Sequence, residues 1–76
     1  MAKQRIEYDS PVEALVALAK RLNVLESRHQ MKSEDFFDQY TKGKLDDSID
    51  FVEWSNDYQH FIDLKFQLEA SLRRVA

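Results

Sequence analysis

The stretch from Asp46 to Arg74, D-D-S-I-D-F-V-E-W-S-N-D-Y-Q-H-F-I-D-L-K-F-Q-L-E-A-S-L-R-R, restricts the fold more than any other part of the chain. Its apolar positions recur at alternating steps of three and four, through Phe51, Trp54, Tyr58 and Phe61 and then, past Lys65, to Leu68, Leu72 and Val75. That period belongs to a helix, and one of this length runs roughly 40 Å. One glycine and one proline in 76 residues leave nothing from which to build a glycine-rich phosphate loop or a succession of hairpin turns. An all-α fold is expected: two long antiparallel helices with a short helix between them, dimerising into a helical bundle.

At 100° per residue the long helix carries Phe51, Trp54, Tyr58, Phe61, Ile62, Leu68 and Leu72 within about a third of its circumference. Val52, Leu64 and Phe66 fall outside that arc, and Glu53, Asn56, His60, Asp63 and Gln67 form a polar back. A single antiparallel neighbour covers one stripe. The leftover apolar residues therefore predict a second buried surface, against the short helix, a second copy or another protein. A chain this small buries only about 60–65% of its unfolded surface, and with no cysteine it has neither a disulfide nor a thiolate metal site. Packed helices, a partner or self-association must supply the rest of its stability.

Punctuation along the chain divides it into residues 1–9, an extended arm or short strand, and residues 10–76, a single helical domain. In the arm, Ile6 and Tyr8 either tuck onto the first helix or begin a strand. Ser10-Pro11-Val12-Glu13 starts a helix over about 11–29, with serine as N-cap, proline at the first helical position and glutamate three residues on. Val12, Leu15, Leu18, Ala19, Leu22 and Leu25 form its core face. A second helix is expected over about 34–42, capped by Ser33, with Glu34 and Asp35 in its first turn and Phe36, Phe37 and Tyr40 as its apolar side. Gly43 suits a left-handed helix end, Leu45 pins the connection, and Asp46 or Asp47 caps the long helix over about 47–74.

Net charge is −3, which disfavours a free-standing nucleic-acid binder; Lys3 and Arg5 of the arm are the exception, if two arms pair across a dimer to contact DNA. Charge is also segregated. Lys20, Arg21, Arg28 and Lys32 face only Glu26 between them, whereas Asp46, Asp47, Asp50, Glu53, Asp57 and Asp63 run without a lysine or arginine. Cations at the end of the first helix complement its dipole. For the acidic run two readings stand: a solvated face, or a surface whose charge speeds encounter with a basic protein while neighbouring aromatics anchor it. No apolar run approaches the ~20 residues of a membrane span, and the amino terminus lacks the apolar core of a signal peptide. The expected setting is a prokaryotic cytoplasm, away from membranes.

Chemistry has few footholds. An acid-x-x-His spacing occurs twice, at Glu26 and His29 and at Asp57 and His60, and in di-iron bundles that spacing places two ligands on one helix face. Here Glu26 and His29 lie on the apolar side of their helix, His60 on the polar side of its own and Asp57 on the rim, so the four do not converge. Nucleophile settings are missing as well. Neither a catalytic residue nor a cofactor is expected.

Ser33-Glu34-Asp35-Phe36-Phe37-Asp38-Gln39-Tyr40, Gly43, and then Asp47, Asp50-Phe51, Glu53-Trp54 and Tyr58 resemble a widespread group of small prokaryotic helical proteins. Those proteins share serine, acids, two aromatics, tyrosine, glycine, then aspartates, Phe-x-Glu-Trp and a tyrosine. Where they often carry a second tryptophan, this chain has Ser55. Members are often encoded as the antitoxin half of a toxin-antitoxin pair, so the resemblance implies a binding role. The expected function is a non-enzymatic, antitoxin-like homodimer that neutralises a small basic toxin, with Phe51, Glu53, Trp54, Asp57, Tyr58, Phe61 and Asp63 at the partner surface. A DNA-binding dimer and a metal-binding helical oligomer are the alternatives.

Overall fold

The structure, a computed structural model, describes residues 10 to 75, which form three helices and no strand: α1 (Pro11–His29), α2 (Ser33–Thr41) and α3 (Ile49–Val75). The amino-terminal arm, with Lys3, Arg5, Ile6 and Tyr8, lies outside the described residues. Ser10 caps α1 with extended backbone (φ −146°, ψ 156°), and its hydroxyl accepts from the Glu13 amide at 3.2 Å. Gln30 closes α1 in the left-handed region (φ 55°, ψ 47°). Glycine or asparagine is usual there; Gln30 holds the position by donating its side-chain amide to the Ser27 carbonyl at 2.9 Å.

Helix α2 begins one residue earlier than its sequence pattern implies, and Ser33 is its first residue rather than its cap. The flanking Lys32 gives no side-chain cap. Glu26, from the last turns of α1, takes over that work: its carboxylate accepts from the Ser33 amide at 2.9 Å. An acid placed on the free N–H groups of a helix start satisfies a donor and complements the dipole. The other end follows its pattern closely. Gly43 has φ 77°, its amide donates to Tyr40 O at 3.1 Å, and the Lys44 amide donates to Gln39 O at 3.0 Å; this is the paired bonding of a Schellman end.

Neither Asp46 nor Asp47 caps α3. Ser48 does so, its hydroxyl accepting from the Phe51 amide at 3.3 Å and its carbonyl from the Val52 amide at 2.9 Å. Asp46 instead accepts from the Ser48 amide at 3.4 Å, and Asp47 accepts from the Tyr40 hydroxyl at 2.8 Å. Two residues of the acidic run are thus used to shape the connection, and α3 starts at Ile49 rather than 47.

The core gathers where all three helices meet. Leu22, Leu25, Phe36 and Trp54 form its buried centre, with Met31, Phe37, Tyr40, Leu45, Phe51, Tyr58 and Phe61 packed around them. Phe36 lies flat on Trp54, ring centres 3.9 Å apart and planes 3° from parallel. Both residues are fully buried, and each such side chain contributes about 3 kcal/mol by leaving water. Ring contacts of Phe36 with Phe51 and of Phe37 with Tyr58 show how far along α3 the short α2 reaches.

Beyond Tyr58 no third helix is present among the described residues, and the expected core face thins. Leu18 is buried, but Val12 is 54% exposed, Ala19 is exposed, and Leu72, on the core side of α3 by its period, is 68% exposed. The reason is length. At 1.5 Å per residue α2 spans only about 13 Å of a helix three times as long.

Candidate protein interface

Trp54 is the centre on which the site residues depend. Its indole N–H is buried and needs an acceptor, which the Ser33 hydroxyl provides at 2.9 Å. Ser33, itself buried, therefore links three elements: its amide goes to Glu26 of α1 and its hydroxyl to Trp54 of α3. His29 stacks on the indole from the α1 side, centroids 5.5 Å apart and planes at 25°, and meets Phe51 edge-on at 5.1 Å. Among the described residues, no buried side-chain polar atom is left without a hydrogen bond.

The segregated charges meet each other. Arg21 forks onto Asp57, Nε donating to Oδ2 at 3.1 Å and Nη2 to Oδ1 at 2.9 Å. Seven residues along α1, Arg28 donates to Asp50 at 2.8 Å, and His29 Nε2 lies 3.0 Å from the same oxygen. Much of the contrast between a basic α1 and an acidic α3 is therefore complementarity within the chain, beyond what the dipole of α1 alone accounts for. Hydrogen bonds from Arg28 and then His29 hold the Asp50 carboxyl below its ordinary value, against a smaller opposing effect of burial. Burial, with Glu34 and Glu26 nearby, pushes the Tyr58 hydroxyl up; the bond to Asp47 does the same to Tyr40.

The seven expected partner residues do not share one face. Trp54, with none of its surface exposed, belongs wholly to the core and cannot anchor a partner. Phe51, Tyr58 and Phe61 are half-buried; Tyr58 and Phe61 line an open groove of about 450 Å³ with Ala19, Leu22 and Ile62. Asp57 is tied to Arg21, its side chain only 13% exposed. Glu53 and Asp63 remain exposed, Glu53 at the edge of a cleft it shares with Arg21 and Arg28 of α1.

The four candidate ligands are likewise separated by their bonds: Glu26 to the start of α2, His29 to Asp50, Asp57 to Arg21, and His60 exposed beside Arg21 and Asp57. Among the described residues, no three histidine or acidic side chains form a metal-holding group. No described helix is long and apolar enough to cross a membrane.

Two surfaces stand open, the first in line with the polar back expected of the long helix and the second without a sign in the sequence. The first is the outward face of α3: Ile49, Val52, Glu53, Asn56, His60, Asp63, Gln67, Ala70 and Ser71 are all exposed, and Arg74 shares the face by its period. Ile49 is 78% and Val52 40% exposed at its start. Their i, i+3 spacing was the available signal. The second is the groove just described, which opens beside the first residues of α2. No family model, curated protein or solved structure matches the chain.

Proposed function

We propose that the chain is a non-enzymatic protein-interaction module, antitoxin-like, that neutralises a small basic protein toxin in a prokaryotic cytoplasm and acts as a homodimer. The two long helices run antiparallel in this reading, which the pairs Arg21 with Asp57 and Arg28 with Asp50 support. One observation carries the functional part: the outward face of α3 is exposed from Ile49 to Ser71, has Ile49 and Val52 as apolar contacts, and bears Glu53 and Asp63, neither of which forms an ion pair among the described residues. A face of that composition suits a basic partner, the acids raising the encounter rate and the apolar pair contributing affinity once water is excluded. The resemblance of the Ser33–Tyr58 region to small prokaryotic antitoxins points the same way.

The test is recovery of the tagged protein from its own cells, in parallel with a variant carrying Ile49→Lys, Glu53→Lys and Asp63→Lys. All three positions are exposed, so helix content is expected to be unchanged. The reading expects one small basic protein in near-equal amount with the wild type and at least tenfold less with the variant, since three unfavourable contacts are introduced together. Equal recovery by both would remove the outward face from the proposal. Recovery of nothing but the chain itself would end the antitoxin reading.

A further inference from the structure

The side of α3 that α2 covers does not end where α2 does. Projected at 100° per residue, Phe51, Trp54 and Tyr58 share an arc of about 120° with Ile62, Lys65, Phe66, Glu69 and Leu72. The first three meet α2 or the core beneath it. Past them Ile62 is half-buried, Lys65 and Glu69 are exposed, and Phe66 and Leu72 are each 68% exposed. Ile62, Lys65, Phe66 and Glu69 surround a shallow pit of about 100 Å³. A helix carrying that much apolar surface in line is half of a packed pair.

The order of residues on the stripe identifies the other half. Read from either end it runs apolar, charge, opposite charge, apolar: Ile62, Lys65, Glu69, Leu72. Turned about a two-fold axis near Gln67, the stripe lies antiparallel on itself, with Ile62 against the partner's Leu72 and Lys65 against the partner's Glu69, each pair formed twice. Phe66 then sits beside the axis and fills the centre. An isologous interface requires this kind of self-complementarity, and an arbitrary partner would not. Lys65 and Glu69 have no ion pair or hydrogen bond among the described residues. Within one helix, lysine four residues before glutamate is also the weaker orientation, so both charges are available to a second copy.

We propose that the distal stripe of α3, Ile62, Lys65, Phe66, Glu69 and Leu72, is a homodimer interface in which α3 pairs antiparallel with α3 of a second copy. α2 covers the first half of this face and the second copy covers the rest, closing the open end of the groove at Ile62 and Lys65. The inference rests on the dimer in the proposed function and is independent of the toxin. The outward face with Ile49, Glu53 and Asp63 stays free in the dimer, so one assembly can present it twice.

Sedimentation equilibrium of the untagged protein tests the assignment. Wild type is expected to dimerise. Lys65→Glu and Glu69→Lys should each weaken the dimer about tenfold, because each places two like-charge pairs across the interface. An equal mixture of the two variants should recover a tight one-to-one heterodimer, since one then presents only acids at these positions and the other only bases. Leu72→Asp should abolish dimerisation. Gln67→Glu, at the same level but on the outward side, should leave it intact. Because every substituted residue is exposed, circular dichroism of each variant should match the wild type. A wild type that stays monomeric would overturn both the dimer and this interface. Should the wild type dimerise and the variants match it, or their mixture gain nothing, the dimer would stand and this face would be excluded.

Discussion

The two ends of the molecule use the same kinds of residue to different effect. Where α2 meets α1 and α3, aromatic and aliphatic side chains are fully enclosed: Phe36 and Trp54 have no exposed surface, and Leu22 and Leu25 very little. At the other end, in the amino-terminal half of α1 and the carboxyl-terminal half of α3, no third helix is present among the described residues, and Val12, Val16, Phe66 and Leu72 are about half or more exposed. Leu72 and Trp54 lie on the same line of α3, eighteen residues or five turns apart. What separates them is the number of neighbouring helices. The enclosed end supplies fold stability, and the open end leaves surface for association.

Truncating one residue at each end should show the largest contrast. Trp54→Ala removes the largest enclosed side chain, with its Phe36 stack and its bond to Ser33, and is expected to cost about 3–5 kcal/mol. Phe66→Ala, another aromatic truncation on the same helix, should change monomer stability by no more than about 0.5 kcal/mol. Urea unfolding of both at low protein concentration, where the proposed dimer would not contribute, measures the difference. If Phe66→Ala cost as much as Trp54→Ala, the open end would have to be packed within the monomer.

Next in size is the polar contact inside the enclosed end. Ser33→Ala removes the acceptor of the Trp54 indole N–H and leaves that donor buried without a partner, which costs about 1–3 kcal/mol. Adding Trp54→Phe removes the donor too, so the double variant should lose less than the two single losses added together. A double-mutant cycle by urea unfolding gives the coupling; additive losses would mean that water replaces the serine.

These contrasts show what a sequence can record about such a protein. The all-α class follows from period and from the scarcity of glycine and proline, and the start of α1 follows from Ser10-Pro11. Gly43 marks the end of α2 because φ 77° is open to it at no steric cost. Gln30 takes the left-handed position without any such signature, held by a bond that its residue type does not advertise. Ser33 looks like a cap and is one residue inside its helix, because Glu26 from the previous helix takes that role. Periodicity describes one helix's own geometry and carries no information on how far a neighbour extends. It therefore groups Val12, Ala19 and Leu72 with the core as readily as Trp54, although only Trp54 is enclosed. Charge behaved alike: the acidic run was plain, but its division among loop, α1 and solvent depended on which side chains tertiary contact brought together.

The smallest effect concerns the charges at the rim of the enclosed end. Asp50 accepts from Arg28 and lies against His29 on the surface edge of the aromatic cluster, and these bonds keep its carboxyl below its ordinary value. A carboxyl whose folded value is depressed stabilises the fold above its unfolded value and loses that contribution as pH falls through the folded one. Asp50→Asn keeps the shape and removes the charge. Wild type should therefore be slightly more stable than the variant at neutral pH, with the two urea midpoints converging as pH falls below about 4. High salt should shrink the neutral-pH gap as well, since a partly exposed pair is screened. Every other acid is present in both proteins, so the gap reports Asp50 together with its contacts to Arg28 and His29. A gap unchanged through the acid range would mean that Asp50 acts through shape alone. The enclosed end would then owe its tightness to aromatic packing, with the ion pairs serving only to align α1 on α3.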